Sequence, residues 1–169
     1  MNKLVAFALA SVLAGAGLAA MAQPQPPTPA SQDDPVAWTA SQQAYLDWNK
    51  AQKGWTVSAT GVQSKRSGPA GKGARPKATD TVTISYEGRL INGRMFDSSS
   101  RQPEGQATFP LPRLIKGWQE AIVLMRKGET WDVVIPAAMA YRDRTDVPVP
   151  PNSTLLFHIE LVDFMAPAP

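Results

Sequence analysis

The chain has 169 residues, 43% of them hydrophobic, a supply that suits one globular domain with appendages and excludes a second core of similar size. It holds no cysteine and a single histidine, so thiol chemistry, disulfides and metal or triad sites built on histidine fall away, and no cofactor is called for. A formal net charge of +3 is too small to argue for a nucleic-acid partner.

The first segment, Met1-Asn-Lys3, then an apolar run from Leu4 to Leu18 and the small exit Ala20-Met-Ala22, has the pattern of a secretory signal over residues 1–22. Roughly 15 apolar residues fall short of the ~20 that cross a bilayer as a helix, so no stable membrane insertion is expected once the leader is removed. Export without cysteine points to the periplasm. Residues 23–34, rich in Pro, Gln, Ser and Thr, read as a solvated polyproline II linker. Asp34 as N-cap, Pro35 at the first helical position and Gly54 at the end bracket a helix over 35–54. Trp38, Tyr45 and Trp48 fall on one stripe of it, with Trp55 just beyond. That stripe either docks on the domain or stays exposed for self-association or client binding.

Lys65, Arg66, Lys72, Arg75 and Lys77 then form a basic, Gly-rich stretch that reads as a solvated loop. Its Gly68-Pro-Ala-Gly71-Lys72 lacks phosphate-loop spacing, and Gly73 stands where Ser or Thr would reach Mg²⁺. Val82, Ile84 and Tyr86 alternate with Thr83, Ser85 and Glu87, which predicts a half-buried strand, and Asn92-Gly93 predicts a tight hairpin into Met95-Phe96. Ile115, Trp118, Ile122 and Met125 recur at helical spacing between Pro112 and Gly128. Trp131, Val133 and Ile135 alternate with Asp132 and Val134, which are expected on the wet face; Leu155, Phe157, Ile159 and Leu161 alternate with His158 and Glu160. Asn152-Ser-Thr154, after Pro150-Pro151, reads as a turn into that last strand. The fold class is α+β: an antiparallel sheet with one short helix against it and an N-terminal helical extension.

A spaced set remains: Tyr86, Phe96-Asp97, Ile115-Lys116-Gly117-Trp118, Ala140-Tyr141 and Phe157. It describes an aromatic cavity with few ionisable groups. Such a cavity is catalytic only where the reaction needs no proton transfer and no nucleophile, as in rotation about an X-Pro amide. From the residues alone, each ring is equally an ordinary core aromatic, and Asp97 a cap for the turn through Ser98-Ser99.

Val82-Thr-Ile-Ser-Tyr-Glu-Gly88, Met95-Phe-Asp-Ser-Ser99, Leu114-Ile-Lys-Gly-Trp118 and Pro150-Pro-Asn-Ser-Thr-Leu155 resemble, in order and spacing, successive motifs of FKBP-type peptidyl-prolyl isomerases. Ala107-Thr-Phe-Pro110 and the segment from Ala138 to Tyr141 are most similar to the bacterial macrophage infectivity potentiator branch. The resemblance implies an isomerase domain over 55–165 with a tail at 166–169, and a sheet curled as a half-barrel around the helix. It implies Trp118 as the floor and Tyr86, Phe96, Val149, Tyr141 and Phe157 as walls, with Leu114 and Phe109 also meeting substrate. Ile115 would offer its N–H and Tyr141 its hydroxyl to substrate carbonyls, and Asp97 would sit beside the twisting bond.

Implied partners are proline-containing unfolded or exported polypeptides and macrolide inhibitors such as rapamycin. In that branch, N-terminal helices mediate dimerisation. This chain departs from the pattern at Arg142-Asp143-Arg144, where glycine usually follows Ala140-Tyr141, and the basic residue usual after Phe-Asp has its counterpart in Arg101. With that flap altered, the alternative is a periplasmic holdase or proline-peptide binding module with little turnover.

Overall fold

A computed structural model describes residues 25–167, so the leader expected over 1–22 lies outside the described residues. Asp34 opens helix α1 (Pro35–Lys50) as its sequence position predicts, its carboxylate accepting from the N–H groups of Val36 and Ala37 at 3.1 and 3.0 Å. The helix ends earlier than 54. Ala51 is its C-cap, and the N–H of Ala51 and the amide of Gln52 both donate to Trp48 O, tightening the last turn. Gly54 lies beyond, at φ 89°, and turns the chain into β1 (Thr56–Val57).

The other strands are β2 (Gln63–Arg66), β3 (Thr81–Leu90), β4 (Met95–Ser98), β5 (Ala107–Pro110), β6 (Thr130–Ile135) and β7 (Leu155–Met165). They form one antiparallel sheet in the order β1-β2-β6-β7-β3-β4, with β5 also on β3, and it does not close into a barrel. Its spine is the β3–β7 pair, which runs from Thr81 opposite Met165 to Leu90 opposite Leu155 with a register shift between Thr83 and Ile84. Period-2 side chains then put Val82, Ile84, Leu155, Phe157, Ile159 and Leu161 on one buried face. The hairpin at Asn92-Gly93 is not a two-residue turn. Leu90 and Arg94 close a three-residue loop in which Gly93 takes the left-handed position at φ 81°, the bulged form that a single positive φ permits.

The helical spacing around Trp118 resolves into a 3₁₀ turn, Leu111–Arg113, extended Leu114 and Ile115, and helix α2 (Lys116–Ile122). Seven residues make a helix that is marginal by itself. Burial of Trp118, Ala121 and Ile122, with Met125 just past the end, supplies what propensity does not, against the inner face of the sheet.

The outer face carries a second layer. Val134, expected on the wet side, is only 2% exposed, because α1 lies over it: Tyr45, Ile91 and Val134 form a small core flanked by Leu46, Trp48, Trp55 and Leu156. The aromatic stripe of α1 is therefore docked. Polar contacts fix the register of α1: Trp38 Nε1 donates to Pro151 O at 3.1 Å, Thr154 N to Gln42 Oε1 at 2.9 Å, and Asn49 Nδ2 to Gln63 Oε1 at 2.8 Å.

The basic stretch before β3 is fastened down, not a free loop. Glu129, 3% exposed, accepts from Gly71 N, Arg126 N and Trp131 Nε1, each at 3.0 Å, and Arg66 lies 3.6 Å away. Arg75 Nε donates to Leu124 O at 2.9 Å, and the Arg126 guanidinium to Gly73 O. Burial pushes the Glu129 carboxyl up, but these N–H donors and Arg66 together outweigh it and hold its pKa below the ordinary carboxylate value. A depressed folded pKa contributes stability that is complete above the unfolded value of about 4.3 and is lost as pH falls through the folded one. Glu129→Gln is thus expected to lose roughly 1–3 kcal/mol in urea unfolding at pH 7. The gap to wild type should narrow below about pH 4 as the native carboxylate protonates.

Candidate functional site

Where α2 begins, the chain turns from extended Ile115 into helical Lys116 and delivers Trp118 to the inner face of the sheet. Position 117 must be glycine for this: a Cβ there would lie 2.4 Å from Ile135 Cγ2, closer than real atoms approach. Trp118, 5% exposed, floors a cavity of about 430 Å³. Tyr86 from β3 and Phe157 from β7 each meet the indole edge-on, at 4.9 Å with interplanar angles of 78° and 74°, and Phe96 from β4 stands against Phe157 at 5.7 Å and 77°. Such edge-to-face rings are each other's preferred neighbours and resist collapse of the hollow.

The strand register explains the cluster. Gly88 lies opposite both Asp97 and Phe157, and a Cβ on it would fall 2.8 Å from Phe157 Cε1 and 2.9 Å from Phe96 Cζ. Its missing side chain lets the two rings meet. Phe109, Leu114, Ile115 and Tyr141 complete the wall, so the structure brings together every expected residue except Val149. Val149 sits in the buried core cluster and does not reach the cavity surface.

Three donors at this site have no acceptor among the described residues: the Ile115 N–H, which precedes the first turn of α2, the Tyr141 hydroxyl and the buried Trp118 Nε1. Burial, then the charge of Asp97, pushes the Tyr141 phenol up, so it stays a protonated donor through the neutral range. Tyr86 is pushed further by burial and by donating to Asp97 Oδ2 at 2.9 Å. Asp97 also accepts from Ser98 N at 2.9 Å, whereas the cap of the following 3₁₀ turn (Ser99–Arg101) is Ser98, whose hydroxyl accepts from Ser100 N at 3.1 Å. The acid is therefore aimed at the cavity by Tyr86, a contact that no local sequence pattern displays.

Arg113, Lys116 and Arg144 also line the mouth; Lys116 and Arg144 fall in segments that the sequence marks without giving them a role, and Arg113 in none. Arg144 is paired with Asp146 at 2.8 and 2.6 Å; Arg113 and Lys116 have no ion-pair partner among the described residues. Arg101 ends the 3₁₀ turn and does not line the cavity. Arg142 stands at φ 56°, the left-handed region that glycine favours, so the backbone keeps the glycine conformation with an arginine in it. A separate depression of about 320 Å³ is lined by Ser85, Glu87, Ser98, Ser99, His158 and Glu160 among others, with Tyr86 as its one aromatic residue.

Against known proteins, residues 72–162 match the family model described as FKBP-type peptidyl-prolyl cis-trans isomerase. The chain is similar to the outer membrane protein MIP of Legionella longbeachae, 44% identical over 120 residues that cover 70% of this chain and 51% of that one. It is similar to the peptidyl-prolyl cis-trans isomerase Mip of Coxiella burnetii, 42% identical with the same two coverages. The crystal structure of FkpA from Escherichia coli superposes with a TM-score of 0.70 at 38% identity, covering 77% of this chain and 60% of that one. A peptidyl-prolyl cis-trans isomerase from Pseudomonas syringae superposes at 0.69 and 30% identity, covering 82% and 98%. The chain spans about half the length of the curated relatives it matches.

Two substitutions test this geometry. Gly88→Ala is expected to destabilise by about 1–3 kcal/mol by driving Phe96 and Phe157 apart, read from thermal unfolding together with altered Trp118 fluorescence. Arg142→Gly is expected to leave the fold intact and raise stability by up to about 1 kcal/mol, because left-handed strain is relieved at some cost in unfolded-chain entropy.

Proposed function

Because the chain belongs to the FKBP-type peptidyl-prolyl cis-trans isomerase family, we propose that it accelerates rotation about Xaa-Pro bonds of exported or unfolded polypeptides by holding the twisted amide without covalent chemistry. The observation that carries this reading is a cavity floored and walled by four aromatic rings, with the Ile115 N–H and the Tyr141 hydroxyl beside it free to meet substrate carbonyls. Proline's ring fits on the indole of Trp118, with Tyr86, Phe96 and Phe157 around it and Leu114 and Phe109 touching the flanking chain.

The amide barrier is about 18–20 kcal/mol, and a ~10⁶-fold acceleration removes about 8 of them. No nucleophile is needed for that. The planar amide is polar by resonance and well hydrated, whereas the half-rotated amide has lost resonance, so a cavity that excludes water disfavours the planar form more. Ile115 N–H and the Tyr141 hydroxyl then fix the flanking carbonyls, which converts rotation into motion of one bond in a held frame. Asp97, oriented by Tyr86, lies beside that bond, where a carboxylate favours the carbonyl carbon that loses the nitrogen lone pair's donation on twisting.

Residues 55–165 are proposed as the isomerase domain, 23–34 as a linker and 1–22 as a cleaved leader that delivers the chain to the periplasm. The composition of the leader supports this, as does the name of one relative, an outer membrane protein. Among the described residues no helix is long and apolar enough to cross a membrane. Macrolides such as rapamycin are proposed as competitors for the same cavity.

NMR exchange on a Xaa-Pro tetrapeptide tests the reading. The wild-type chain should speed cis-trans exchange; Asp97→Asn and Tyr141→Phe should each lower kcat/KM roughly 3- to 30-fold, the scale of one lost hydrogen bond. Trp118→Leu, which keeps apolar bulk but removes the flat floor, should lose more. Unchanged exchange rates in these variants at equal stability would remove the assignment, and peptide affinity without faster exchange would favour the holdase.

A further inference from the structure

The segment between β6 and β7 carries Tyr141 to the cavity and then crosses residues 142–154 with little backbone support. Pro148, Pro150 and Pro151 contribute no N–H, and the internal bonds that hold its ends are Arg142 N to Ala137 O at 3.0 Å, Arg144 N to Tyr141 O at 3.2 Å, and Asn152 N to Arg142 O at 2.6 Å. Two of its residues, Arg142 at φ 56° and Asn152 at φ 58°, stand in left-handed conformations. Strain of that kind persists only where the surroundings over-determine it.

Those surroundings include α1, on the far side of the sheet from α2. Trp38 Nε1 donates to Pro151 O at 3.1 Å, and Gln42 Oε1 accepts from Thr154 N at 2.9 Å, with both side chains almost fully buried. The two contacts bracket Asn152 and Ser153, and the Ser153 hydroxyl donates to Pro150 O at 2.7 Å. From Pro151 the path to the cavity is short: Asn152 N–H holds Arg142 O, and Arg142 follows Tyr141 in the chain.

We propose that α1 is a brace for the substrate site, with Trp38 and Gln42 acting as positioning residues that hold the 150–154 turn so that Arg142 keeps its left-handed backbone and Tyr141 faces the cavity. This rests on the isomerase reading and assigns to the N-terminal helix a role within its own chain. Tyr45 provides the contrast. It sits in the same helix-to-sheet contact and packs with Ile91 and Val134, so its part in securing the helix rests on apolar packing and not on a hydrogen bond to the turn.

The test uses the full chain with three variants: Trp38→Phe, which keeps an aromatic ring and removes the donor; Gln42→Leu, which removes the acceptor; and Tyr45→Leu as the control. Steady-state and NMR exchange kinetics on a Xaa-Pro peptide, hydrogen exchange at the Asn152 amide and urea midpoints are read for each. Trp38→Phe and Gln42→Leu should raise KM roughly 3- to 10-fold with kcat little changed, and should speed exchange at Asn152 by a similar factor, the scale of one lost hydrogen bond. Tyr45→Leu should lower the urea midpoint and move neither KM nor the Asn152 amide. Equal KM shifts in all three variants, or faster exchange at Asn152 with KM unmoved, would overturn the proposal. If the wild-type chain speeds no peptide, the isomerase reading fails separately, and a normal rate at the Asn152 amide in Trp38→Phe would then overturn the brace.

Discussion

The structure depends on how closely α2 is pressed to β6. At Gly117 the helix backbone lies so near Ile135 that a single added carbon would sit 2.4 Å from a side-chain atom, which sets the height of the helix above the sheet. Trp118 follows immediately, and at that height its indole lies where Tyr86 and Phe157 reach it edge-on. A helix held further out would leave those rings without a partner, and the hollow would fill with water or collapse. The close approach is bought by a residue with poor helix propensity in a helix of seven, and burial of Trp118, Ala121 and Ile122 offsets that cost.

What the cavity can do follows from what lines it. Its floor and inner wall are aromatic rings and aliphatic groups, the charged Arg113, Lys116 and Arg144 stand at its mouth, and the polar groups beside the rings are held in place: Asp97 by Tyr86, Tyr141 by the flap, Ile115 N–H by the start of α2. Donors fixed before substrate arrives need no reorganisation as the amide twists, which is the condition for electrostatic preorganisation. Raised phenol pKa values at Tyr86 and Tyr141 keep both hydroxyls protonated through the neutral range, so both remain donors there.

Alternation is legible because a sheet with one buried face imposes period 2 on its strands; β3 obeys it throughout, and β7 from Leu155 to Leu161, beyond which the register against β3 shifts. Val134 was misread for a physical reason: alternation reports only the face it shares with neighbours, and cannot see that α1 returns to cover the other one. The first helix stops at Lys50, short of Gly54, whose positive φ turns the chain after the helix has already ended, and around Pro112 apolar spacing continues outside the hydrogen-bonded turns of α2. The aromatic members of the site were visible as a spaced set, whereas the Tyr86–Asp97 bond, the void at Gly88 and the exclusion of Val149 arise from cross-strand register and loop path. Arg142 is instructive because its side chain suggested an altered flap, while its backbone keeps the conformation that a glycine would take.

The two helices are not independent layers, because β7 serves both. Phe157 on its inner side touches Trp118, and Leu156 on its outer side packs with the Tyr45 cluster, opposite Val134 in register. The turn that starts β7 is pinned from the outer layer by Trp38 and Gln42, while its far end delivers Tyr141 to the inner one. A close-packed strand with rings on one side and a docked helix on the other holds its position, since its side chains have few intermediate arrangements. On the proposed brace it is the seating of the 150–154 turn by Trp38 and Gln42, not the packing around Tyr45, that sets the shape of the cavity, and the loop with the least backbone support is where that seating is expressed.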